Sequence, residues 1–212
     1  MKRHAISLFS ISGLVAATFA TTACDGPDMD ARFDEYTELV GDTAPVPEGI
    51  CDPTVADITG RFVMALEHDV IPRNPIYFDV HITDGGNGTY NASFQALRTW
   101  TSANVPDEVT DRDPVGDEIV VEGIVPASNG SLEVTFFETV VDGAANSATG
   151  SNIQATIVLD VFPCSADRLC GAGKLDLFVP FAMSDKNAWF SAERITDDYV
   201  INTDTEISAS CE

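Results

Sequence analysis

Basic residues are scarce in this chain. Its 212 residues carry 11 Lys and Arg against 34 Asp and Glu, a formal charge of −23. Such a chain lacks the cationic contacts that neutralise phosphates, which excludes nucleic acid as a partner. Anionic surfaces repel it as well. Histidine is limited to His4, His68 and His81. There is no Gly-x-Ser-x-Gly, no His-Glu-x-x-His and no glycine–lysine phosphate loop. Nucleophilic, zinc-peptidase and nucleotide chemistry therefore have no motif to rest on, and the chain reads as a non-enzyme without a cofactor. No apolar run reaches the ~20 residues that a spanning helix needs. From Cys51 onward no stretch of useful length has helical periodicity.

The N-terminus is different in character. Lys2 and Arg3 precede an apolar run over residues 5–20, interrupted by Ser7, Ser10 and Ser12, and then Thr21-Thr22-Ala23-Cys24. A short positive region, an apolar stretch and small residues form a secretion signal. The segment resembles that of bacterial lipoprotein precursors, with Thr22, Ala23 and Cys24 fitting the small-residue and acceptor positions. Thr21 departs from the pattern, since an aliphatic residue is usual there. The resemblance implies that residues 1–23 are removed and Cys24 carries two or three acyl chains, enough for stable anchoring. It implies a location in the bacterial cell envelope, facing the periplasm or the exterior. Ordinary secretion, with Cys24 left as a thiol, is the alternative. Loss of residues 1–23 removes Lys2 and Arg3 and no acid, moving the formal charge from −23 to −25.

Cysteine parity agrees with lipidation. With Cys24 acylated, Cys51, Cys164, Cys170 and Cys211 remain, an even set suited to two disulfides in an oxidising compartment. Of three connectivities, the expected one is Cys164–Cys170 around a short loop, with Cys51–Cys211 joining the ends of the domain. Cys-x5-Cys does not match zinc spacing.

Residues 24–50 read as an acidic tether. Eight acids stand against Arg32, and the segment ends in Pro45-Val46-Pro47-Glu48-Gly49; like charges extend such a chain. Within it Met29, Phe33, Tyr36 and Val40 are spaced at i, i+4, i+7 and i+11, which predicts a short helix over 29–40.

Residues 51–212 read as one all-β domain. Ile76, Phe78, Val80 and Ile82 are expected to face in, with Tyr77, Asp79, His81 and Thr83 facing out, and Asp84 to Gly88 turns the chain into a second alternating run with Tyr90, Ala92, Phe94 and Ala96 on one face. Similar runs cover 59–67, 117–125, 132–136, 153–161, 175–182, 188–195 and 199–207, and Phe136-Phe137 interrupts one of them as a bulge would. Consecutive hairpins predict an antiparallel up-and-down barrel of about eight or nine strands, with a two-sheet sandwich as the alternative.

The domain offers few candidates for a site. Gly60-Arg61-Phe62, and Thr196-Asp197-Asp198-Tyr199 far downstream, resemble fragments of lipocalin signatures. That resemblance implies a carrier of a small apolar ligand. Acidic loops raise a calcium-dependent module as a further alternative, with Asp84, Asn87, Asp111 and Asp113 as weak ligand candidates, although none matches calcium-loop spacing. The leading expectation is a lipid-anchored, non-enzymatic structural or protein-interaction module with an envelope protein as partner.

Overall fold

The computed structural model describes residues 51, 57–99, 111–202, 204–205 and 207–211. Cys24, the signal segment, the tether and the helix expected over 29–40 lie outside the described residues. Eight strands follow one another: β1 (Gly60–His68), β2 (Ile76–Gly86), β3 (Thr89–Ala96), β4 (Ile119–Ile124), β5 (Leu132–Val141), β6 (Ile153–Ser165), β7 (Arg168–Val179) and β8 (Met183–Ile195). A single 3-10 turn, Gly143–Ala145, interrupts the β5–β6 connection.

All pairings are antiparallel, and the strands form one sheet in the order β4-β3-β2-β1-β8-β7-β6-β5. Because β1 pairs with β8, the meander curls into a nearly closed barrel rather than two packed sheets. Between β4 and β5 the described link is the isolated bridge Pro126–Leu132.

The alternation of the sequence explains the curl. Phe62, Met64 and Leu66 of β1, Ile76 to Ile82 of β2, Ala92, Phe94 and Ala96 of β3, and Ile153 to Val161 of β6 turn their apolar positions inward, where they are buried. The opposite positions Asp79, His81, Asn91, Ser93, Thr156 and Asp160 are polar. Apolar inside and polar outside is the reverse of a barrel that spans lipid. At the β2–β3 hairpin Asn87 and Gly88 have φ of 55° and 79°, the left-handed pair that matches strand twist in a two-residue turn. The Phe136–Phe137 interruption is a bulge: the β5–β6 register slips between Phe136 and Thr139, and Glu138 has φ 47°.

Three expectations need correction. The described residues of the run over 199–207 form no ninth strand. They belong to a strap that crosses the outer face of the barrel and meets another segment at the single bridge Asp111–Asn202. Tyr77 was expected to face solvent, and it is buried beneath that strap. Ile201, Ile207 and Ala209 form a second small core with Val63, Ala65, Tyr77 and Leu97, outside the barrel. The strap lacks a regular ladder because Arg112 and Ser191 satisfy parts of its backbone: Arg112 Nε donates to the Asn202 carbonyl at 3.1 Å, and the Ser191 hydroxyl donates to the Ser208 carbonyl.

The third correction concerns the disulfides. The bonds are Cys51–Cys164 and Cys170–Cys211, not Cys164–Cys170 and Cys51–Cys211. The residues read as a loop between Cys164 and Cys170 are mostly strand, since β6 runs to Ser165 and β7 starts at Arg168. Phe162 faces Cys170 across that ladder, so Cys164 is displaced by two positions. Cys164 is therefore not the direct cross-strand partner of Cys170, although their sulfurs lie within 4.8 Å. Cys164 bonds Cys51 instead, and Cys170 bonds Cys211 at the end of the strap.

Candidate functional site

The barrel interior is the first place to look for a ligand. Phe94 and Phe136 reach across it and meet edge to face, ring centroids 4.7 Å apart at 84°. A void of about 30 Å³ is lined by Met64, Ile82, Tyr90, Phe94, Leu159 and Phe190 among others. A second void of about 20 Å³ is lined by His68, Ile76, Phe78, Phe136, Ile153 and Leu175 among others. Sites for small organic ligands usually enclose roughly 300 Å³ or more. Each void here has room for about one or two waters, and its lining is almost wholly apolar.

His68 is the exception in that lining. It ends β1, is buried, and accepts a hydrogen bond at Nδ1 from the Ile71 backbone N–H at 3.2 Å. Burial pushes its pKa below the ordinary histidine value, while neighbouring Asp69 acts in the opposite direction. The folded protein thus holds a neutral imidazole that the unfolded chain protonates below about pH 6.5. The unfolded state then binds more protons, so this contribution to stability is lost as pH falls below that value. We expect denaturation midpoints to drop as pH is lowered from 7 toward 5, and His68→Gln to flatten that limb. A limb of unchanged slope in the variant would assign the drop elsewhere. Asp57 and Asp198 do not confuse the window. Their pKa values are lowered by hydrogen bonds from Thr59 and Thr196, so their contributions fade only below the ordinary aspartate value of about 3.9.

The lipocalin-like fragments come together in space. Arg61 donates from Nη1 to the carbonyls of Asp197 and Tyr199 at 2.8 and 3.0 Å, and its Nε and Nη2 bind both carboxylate oxygens of Asp79 at 2.9 and 2.8 Å. This ion pair is largely shielded from solvent, and the bidentate geometry raises the guanidinium pKa through its bond to Asp79. Arg194 closes the same end. It stacks over the Phe62 ring at 4.7 Å, donates to the Ala166 carbonyl at 2.7 Å and also donates to the Thr59 carbonyl. Arg112 lies 4.4 Å from the Tyr77 ring centroid. These guanidiniums bind backbone carbonyls and ring faces within the fold. Their role is to fix the strap and the barrel end. Composition marked arginine as rare and could not reveal this use.

The acidic residues considered as calcium ligands do not converge. Asp84 and Asn87 belong to the β2–β3 hairpin, where Asp84 accepts from the Gly86 N–H at 2.8 Å. Asp111 and Asp113 lie beyond the other end of β2: Arg98, next to the Leu97 that bonds Tyr77, donates its backbone N–H to the Asp113 carbonyl. Seven residue steps of strand from Tyr77 to Asp84 separate the two groups by roughly 20 Å. Among the described residues, the sulfurs of Cys51, Cys164 and Cys170 lie within 4.8 Å of one another. They cluster because the two disulfides are adjacent, and sulfur committed to a disulfide is not the thiolate that zinc requires.

No family model matches this chain, and no curated protein matches it. Its sequence and geometry therefore carry the functional reading alone. One more feature belongs to that geometry. The turn between β7 and β8 exposes Phe178, Val179, Pro180, Phe181 and Ala182 in succession. Sequence reasoning assigned these residues to a strand and gave them no role; an apolar run without a polar alternate was the available signal.

Proposed function

We propose that the chain is a lipid-anchored envelope protein whose barrel serves as a non-enzymatic structural or protein-interaction module. The observation that carries the reading is the pattern from Lys2 to Cys24, a charged start, an apolar run and small residues ending at an acceptor cysteine. Two disulfides suit the oxidising compartment to which such a signal leads. The small voids favour a packed module over the lipocalin-like carrier, whose cargo needs roughly tenfold more room.

The anchor is tested by mass and by labelling. In a bacterial host that processes lipoproteins, the mature protein is expected to begin at an acylated Cys24 and to incorporate labelled palmitate. Cys24→Ala is expected to abolish the label and leave unprocessed or soluble protein. Mature protein beginning at an unmodified Cys24 would replace anchoring with ordinary secretion. Extraction of purified protein with organic solvent tests the module reading; a reproducible stoichiometric apolar compound would favour the carrier instead.

A further inference from the structure

The β7–β8 turn departs from the rest of the outer surface. Five consecutive exposed residues are apolar, and Phe178 and Phe181 are each 44% exposed. Runs of this kind are normally avoided on a soluble surface unless they meet something. The patch extends across the neighbouring strands. Gln154 of β6 faces Val179 on one side and Val140 of β5 on the other, and Val140 is 49% exposed. Further along β5 the bulge turns Phe137 outward, leaving it 75% exposed.

Charge is distributed to match. Between Lys174 and Lys186 the charged residues are those two lysines, Asp176 and Asp185, so the hairpin is formally neutral. From Thr139 to Leu159, which includes the adjoining β5–β6 connection, Asp142 is the sole charged residue. These two lysines are also the only lysines after Lys2. In a chain of formal charge −25 beyond residue 23, the hairpin itself carries no net charge. Asp111, Asp113, Asp117 and Glu118 belong to the segment between β3 and β4, which reaches the same end of the barrel: Thr99 donates its backbone N–H to the Ala144 carbonyl of the β5–β6 connection at 3.0 Å.

We propose that the Phe178–Phe181 turn inserts into the interfacial zone of the lipid bilayer and sets how the anchored barrel rests on the membrane. The proposal rests on the lipid-anchor reading for its setting. Aromatic rings flanked by lysines suit the boundary between acyl chains and headgroups, and a neutral hairpin adds no charge of its own to the repulsion that the acidic segments meet. The length of the tether permits this orientation. Cys51 is bonded to Cys164, near the β6–β7 turn, whereas the apolar turn lies at the far end of β7. A strand of 12 residues spans roughly 40 Å. The 27 peptide steps from Cys24 to Cys51 reach at most ~90 Å when extended, so the anchor can lie beside the turn.

The test compares Phe178→Trp with Val125→Trp, a reporter in the connection between β4 and β5, in the mature lipidated protein reconstituted in phosphatidylethanolamine–phosphatidylglycerol vesicles. Lipids brominated along their acyl chains serve as quenchers, and wild-type signal is subtracted for the native tryptophans. The expected result is strong quenching and a blue shift at position 178 with little change at 125. The Phe178→Ser/Phe181→Ser pair is expected to weaken vesicle binding of Cys24→Ser protein, produced from residue 24 onward, by at least tenfold. Vesicle-bound, acylated protein with an unquenched position 178 would overturn the insertion and leave the anchor standing. Absence of acyl mass on Cys24 would overturn the anchor; quenching of position 178 by added vesicles would then support insertion on its own, and no quenching would overturn both. A blue shift without vesicles also overturns the proposal, assigning the patch to a second copy if it grows with protein concentration and to this chain's own tether if it does not.

Discussion

Cys211→Ser is expected to destabilise the barrel by about 4 kcal/mol, the loop-entropy estimate for a bridge closing 41 residues. The bond ties the end of the strap to β7, and the strap is the cover over Val63, Ala65 and Tyr77. Without it the outer core opens to water while the inner core remains closed. Unfolding in guanidinium, followed by tryptophan emission and by circular dichroism, should therefore lose the coincidence of its two transitions. Thiol titration should find one new reactive thiol, and peptide mapping under non-reducing conditions should place it at Cys170. Wild-type maps that join Cys164 to Cys170 would overturn the observed pairing and, with it, the account of the strap.

Gly173→Val is expected to abolish folding, the largest effect of a single substitution that this structure predicts. A Cβ at residue 173 would run into the Val158 carbonyl of β6, a backbone atom with no freedom to withdraw. Gly171, one inward position earlier, is the graded counterpart. Its Cβ would meet the Phe190 ring and the Asp160 carbonyl, so the missing side chain on β7 is replaced by the aromatic ring of β8. Gly171→Ala is expected to cost about 3 kcal/mol or more, above the usual range for overpacking, because the Asp160 carbonyl is a backbone atom as well. Soluble yield and melting temperature distinguish the cases. A Gly173→Val protein with a wild-type melting curve would show that β6 and β7 do not approach as closely as described.

The inward faces were readable because burial on one side of a sheet imposes a period of two. Ile76, Phe78, Val80 and Ile82 carry that period without interruption, and the structure buries all four. The bulge at Phe136-Phe137 was readable for the same reason, as a break in period. Residues without such a pattern were not. Ile201, Ile207 and Ala209 cover the barrel from outside by meeting particular side chains, and their spacing follows the path of the strap rather than a strand or helix. Tyr77 was misplaced because its partner is distant in sequence. The cysteine pairing failed similarly: it depends on the exact end of β6, and a turn displaced by two residues changes which thiols can meet. The meeting of Arg61 with residues 196–199 depends on the closure of β1 against β8, which no local pattern records.

That closure also governs when the barrel can exist. Arg61 lies opposite Ile195, and His68 lies opposite Ala188. Synthesis from the N-terminus delivers β1 early and β8 nearly last. Until β8 follows, β1 has only β2 at its side, and its other edge presents unpaired N–H and C=O groups to any passing strand. The final strand to emerge is thus the one that removes the hazard.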